Sequence, residues 1–203
     1  MLTPARIAEL NRLLIERLSL FMNRCPEAIT TKELFDTMRD CSMNEVEAYG
    51  VLLLGSIGLY ENKEIRRWYL PEMLTFSDPS EYEKDLYYKT VALQNRPERR
   101  YGRWTLKTQI IAPCELFAAG DFLCKSDGRI IPRVSFFLRE YRFPAVLQDG
   151  REWMLLVPNE VETMKKPISA AHGHVLTYGL GLAYFPFSAA QKETVSDVTV
   201  VER

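Results

Sequence analysis

Residues 174–203, HVLTYGLGLAYFPFSAAQKETVSDVTVVER, decide how the rest of this chain is read. Val175–Tyr178 is a short apolar run that leads into Gly179-Leu180-Gly181. A helix-like segment follows, and a second β-branched run, Val198–Val201, closes on Glu202. Strand, glycine-rich turn, helix and strand in that order make a βαβ unit, whose two strands must run parallel.

Such a unit has a chemistry of its own. Glycines at the strand–helix turn are expected where a Cβ would meet a ligand or demand a strained backbone angle. The free N–H groups at a helix start can accept a carboxylate or a phosphate. A carboxylate at the end of the next strand can accept hydrogen bonds from ribose hydroxyls. Glu202 stands 23 residues after Gly179, close to the spacing of about 20 found in nucleoside-binding Rossmann-like units. A dinucleotide fingerprint would place a small residue at 184, where this chain has Tyr184. The small residues fall instead at 179, 181 and 183.

Upstream, the chain divides by character. Residues 3–23 read as a helix: Thr3 caps, Pro4 suits the first position, and Ile7, Leu10, Leu14, Leu18 and Phe21 form one apolar stripe. Thr30 and Glu33 form a capping box that opens a helix to about Asp40. Ser42–Glu45 repeats that signature and opens another helix through about Ile57, stopped by Gly58. Ile65–Leu70 reads as a strand or extended segment, and 71–84 as a loop or weak helix. Beyond residue 100 the pattern turns β-rich. Trp104–Ile110 alternates, Asp127-Gly128 marks a turn, and Phe143–Leu147 and Glu152–Val157 flank Gln148-Asp149-Gly150-Arg151 as a hairpin whose four-residue loop leaves the turn type open. Pro158 starts a helix that Pro167 kinks or restarts. The expected organisation is a helical N-terminal subdomain over 1–100, then 101–203 with a β-rich hairpin region and the start of a Rossmann-like sheet. The class is α/β.

Bulk properties narrow the functions. A net charge of −1 provides no global field for nucleic acid or an anionic membrane. No apolar run is long enough to span a bilayer, and the N-terminus lacks the pattern of a secretory signal. Cys25, Cys41, Cys114 and Cys124 are widely and irregularly spaced, which fits reduced thiols in a cytoplasm better than a zinc or redox motif. His172 and His174 alone do not make a metal site. Arg96, Arg99, Arg100 and Arg103, interleaved with Tyr101 and Trp104, form the one dense basic cluster and read as a solvated linker rather than a nucleic-acid grip. A helix-turn-helix over 30–57 is disfavoured because Val51–Leu54 is apolar where a recognition helix exposes polar groups.

The small-residue pattern 179, 181, 183 resembles the first motif of class I S-adenosylmethionine-dependent methyltransferases, with Thr177 at the family's acidic position and Ala183 at its last glycine. Phe143–Leu147, Glu152–Met154, Pro158–Met164 and Ala171–Leu176 are similar to the segment leading into that motif in a poorly characterised bacterial group of these enzymes. The resemblance covers roughly 130–203. It implies S-adenosylmethionine as cofactor, held by Tyr178, Gly179, Leu180 and Gly181, with Glu202 on the ribose hydroxyls and Glu160 and Met164 beside the pocket. It names no catalytic residue and no methyl acceptor. A whole domain of this kind has about seven strands, so the expectation is a truncated domain with an incomplete cofactor site and an open edge at Val175–Tyr178. A second copy or another partner is expected to cover that edge. The alternative is a non-catalytic interaction or regulatory module that retains a remnant of the nucleoside-binding fold.

Overall fold

The structure, a computed structural model, describes residues 2–90 and 98–202. In chain order the helices and strands begin with α1 (Pro4–Arg24), α2 (Thr31–Cys41), α3 (Glu45–Ser56), α4 (Lys63–Trp68), α5 (Leu70–Met73) and β1 (Leu74–Phe76). Then come α6 (Ser80–Glu83), α7 (Leu86–Thr90), β2 (Arg99–Tyr101), β3 (Trp104–Ile111), β4 (Phe117–Cys124) and β5 (Ile130–Phe136). The last are β6 (Tyr141–Gln148), β7 (Arg151–Leu155), α8 (Pro158–Ala170), β8 (Gly173–Tyr178), α9 (Tyr184–Ala190) and β9 (Val195–Val201). The protein is a mixed α/β chain with N-terminal helices and three sheets among the described residues.

The chain forms two compact units, each discontinuous in sequence: 1–78 with 111–141, and 79–110 with 142–203. The boundary expected near residue 100 falls inside the first segment of the second unit.

In the first unit, helices pack on a three-stranded sheet ordered β1-β5-β4, with β1 parallel and β4 antiparallel to β5. The α1 stripe is buried as expected, and Thr3 caps its start. Thr30 and Glu33 close their capping box on α2. The next cap lies two residues later than expected: Asn44 and Glu47 form the box of α3, while Ser42 ends α2 in the left-handed region. Helix α3 ends in a Schellman arrangement, Gly58 N–H to the Gly55 carbonyl and Leu59 N–H to that of Leu54, with Gly58 at φ 71°. Tyr49 of α3 stacks on Phe136 of β5 at 3.9 Å, and its hydroxyl donates to the Cys114 carbonyl at 2.8 Å.

Residues 65–70 correct the sequence reading. Residues 65–68 are helical, because the Asn62 side chain accepts the Ile65 N–H and starts α4, and after a turn at Tyr69 Leu70 opens α5. Strand β1, inside the segment read as loop or weak helix, was hidden by its length of three residues; it exists through pairing with Val134–Phe136.

In the second unit, β2-β3-β6-β7 form one sheet, and β8 and β9 another. Asp149 and Gly150 both take positive φ, as a two-residue type I′ hairpin turn requires. Helix α8 continues through Pro167 to Ala170. The Lys192 ammonium satisfies its C-terminus by donating to the carbonyls of Ile168, Ser169 and Ala171 at 2.6–2.7 Å. Strands β8 and β9 pair in parallel from Gly173↔Val195 to Tyr178↔Val201, with α9 between them in sequence and packed on β9.

Candidate functional site

The turn from β8 into α9 holds three residues in the left-handed region. Gly179, Gly181 and Ala183 have φ of 84°, 56° and 64°. A Cβ on Gly179 would meet no heavy atom within 4 Å, and one on Gly181 would make only an ordinary 3.7 Å contact with Met154 Sδ. The glycines are therefore required by backbone conformation, not by crowding from the protein. Ala183 adopts the same conformation with a Cβ, at a steric cost.

The loop is tied to the end of β9. Leu180 N–H donates to Glu202 Oε2 at 2.5 Å, and Gly179 N–H donates to the Val201 carbonyl at 2.8 Å. Parallel pairing carries β9 to the level of the turn, and that register brings a carboxylate 22 residues away onto the glycine loop.

Above this turn opens a cleft of about 880 Å3, a size common for small-molecule sites. Tyr178, Gly179, Leu180 and Gly181 line it, as do Glu202, Glu160 and Met164. The structure thus brings together all seven residues singled out from the sequence. Tyr178 is 77% exposed. Thr177, at the position where the resembling family carries an acid, is half-buried in the cleft wall.

Sequence reasoning missed the opposite wall. Trp153 and Met154 of β7 and Phe185 and Pro186 of α9 face the same cleft and make it largely apolar. Trp153 stands edge-on to Trp104 at 5.6 Å.

Tyr184 turns away from β8. Its hydroxyl donates to Asp85 at 2.9 Å, and its ring meets Tyr87 edge-on at 5.3 Å. Burial, followed by the nearby Asp85 carboxylate, pushes its phenol well above the ordinary tyrosine range. Tyr87 donates to the Leu182 carbonyl at 2.5 Å, so the aromatic cluster holds the loop from behind.

The remaining candidates separate from the cleft. His174 pairs with Asp197 across β8–β9. Among the described residues no group of three metal-ligating side chains occurs. Arg100 pairs with Glu98 and Arg103 with Asp149; Arg96 lies outside the described residues. All four cysteines are free thiols. No described helix is long and apolar enough to cross a membrane. Comparison with protein-family models, with curated proteins and with solved structures returns no match.

Proposed function

We infer that the cleft over the β8–α9 turn binds S-adenosylmethionine, and that the second unit carries part of a Rossmann-like site of the class I methyltransferase kind. The observation that carries this reading is the Leu180–Glu202 hydrogen bond, which sets a strand-end carboxylate against a loop of left-handed glycines. Such a loop offers backbone to a ligand at close range, and the carboxylate suits vicinal ribose hydroxyls.

The residues present fit the group. Gly179 leaves open space at its Cα, while Met154, Met164 and Phe185 supply apolar and polarisable surface for an adenine ring or a thioether chain. The bound cofactor would supply an electrophilic methyl group. What these side chains contribute is position and the exclusion of water, the terms that dominate a transfer needing no covalent enzyme intermediate. Glu160, at the start of α8, lies within the same cleft and is suited to orient a cationic or hydroxylated portion of the ligand.

The test is calorimetric titration of the whole chain with S-adenosylmethionine, its demethylated product and a nicotinamide dinucleotide. Binding of the first two, lost in Glu202→Ala with the fold retained by circular dichroism, is the expected result. A folded chain that binds neither, or that binds the dinucleotide better, overturns it.

A second reading is favoured by a different observation. On β8 and β9 the positions alternate, and Leu176 and Tyr178 are 56% and 77% exposed beside Val201. Among the described residues each strand has a single neighbour. An interaction module covered there by a second copy would also satisfy those groups. Light scattering that gives a dimer dispersed by Leu176→Lys, together with absent cofactor binding, selects this reading.

A further inference from the structure

In the first unit a groove of about 400 Å3 runs between α1 and the β4–β5 pair. Its helical wall is Ile15, Leu18, Ser19 and Met22, spaced i, i+3, i+4, i+7 as one stripe about 10 Å long. The strand wall is built differently. Strand β4 breaks register with β5 between Ala118 and Gly120 and again between Gly120 and Leu123. Such bulges re-aim side chains.

On β5, facing the first of these breaks, stands Arg133. It stands opposite Gly120 in the register, and a Cβ on Gly120 would lie 2.9 Å from Arg133 Nη1. Gly120 is not among the residues with positive φ, so its backbone does not require glycine. The missing side chain instead makes room for the guanidinium to lie against β4 at the groove. Arg133 makes no ion pair among the described residues. At the same wall Phe122 is 55% exposed, unusual for a large ring on a strand.

We propose that this groove binds a free medium-chain fatty acid, with its carboxylate on Arg133 and its hydrocarbon along the Ile15–Met22 stripe beside Phe122. Charge selects the anion, because an unpaired guanidinium presents a planar fork matched to one carboxylate. The apolar trough selects the chain. Met22 lets it adapt to the bends of a flexible ligand. A peptide fits less well. Its amides would lie against a wall whose polar groups at Ser19 and Asn23 already bond to each other, Asn23 Nδ2 donating to Ser19.

The experiment is calorimetry of the whole chain with decanoate below its micelle concentration, with decanol, and with an acetylated apolar tripeptide bearing a free C-terminus. Decanoate is expected to bind and decanol at least tenfold more weakly. Arg133→Gln should weaken decanoate about tenfold or more, the scale of a charge-assisted hydrogen bond, and Arg133→Lys by less. Ala118→Phe, at an exposed position on the trough, should abolish binding with the circular dichroism spectrum unchanged. No decanoate binding by the folded chain overturns the proposal. So does decanoate affinity unchanged in Arg133→Gln, or a tripeptide that binds more tightly than decanoate.

Discussion

Tyr184 donates its hydroxyl to Asp85, 99 residues earlier in the chain, at 2.9 Å. The first residue of α9 is thereby anchored to the segment before α7, and the loop that precedes it is held in place. Asp85 also accepts the Tyr87 N–H. Tyr184→Phe removes one bond to a charged acceptor while leaving the carboxylate partly satisfied, so the expected loss is about 1–2 kcal/mol. A lower denaturant midpoint with an unchanged slope is the readout; an unchanged midpoint would show that Asp85 is better solvated than its position implies.

The same burial gives an alkaline signature. Burial raises the phenols of Tyr49 and Tyr184 well above the ordinary 10 and that of Tyr87 to about 12. Unfolded tyrosines lose their protons near pH 10, while these remain protonated in the fold. Their contribution is therefore fully present below pH 10 and is lost as pH rises through the folded values. Stability measured by denaturant should hold from pH 8 to about 10 and then fall. Tyrosinate absorbance should lag behind the value expected for ten free phenols until unfolding releases the buried ones.

Ala183 sits at φ 64° and caps α9 without a side-chain hydrogen bond. Glycine there removes the Cβ–carbonyl clash of the left-handed region. Ala183→Gly should stabilise the protein by about 1 kcal/mol, less a few tenths for added freedom in the unfolded chain. Gly179→Ala should have the opposite sign and similar size, although nothing crowds its Cβ. Thermal melting of the pair checks both signs.

Asn11 lies on the buried stripe of α1, 8% exposed. Its Nδ2 donates to the Gly128 carbonyl, and its Oδ1 accepts from the Tyr69 hydroxyl and the Ile130 N–H. Asn11→Leu keeps the branched outline of the side chain and strands three polar groups. The expected cost is about 3 kcal/mol or more, well above the ordinary surface range. Rapid amide exchange at Ile130 should accompany it.

The site was visible in the sequence to the extent that it is local. Gly179, Gly181 and the carboxylate at 202 carry their own backbone and charge requirements, and the βαβ order set the distance between them. Trp153 and Phe185 were not visible as partners, since nothing in their neighbours says that β7 and α9 share a cleft. The role of Asn11 was equally hidden. A polar residue in an apolar stripe has no local signal for three partners at 69, 128 and 130.

By itself the sequence determined the α1 stripe, the Thr30–Glu33 box, the Asp149-Gly150 hairpin and the β8–α9–β9 order. Each is signalled within a short stretch of chain, where spacing and backbone preference suffice. Tertiary structure alone decided that residues 74–76 form a strand and that 111–141 belongs with the N-terminal helices. Those outcomes depend on burial and pairing between segments distant in the chain, and their free energy is absent until the partners meet.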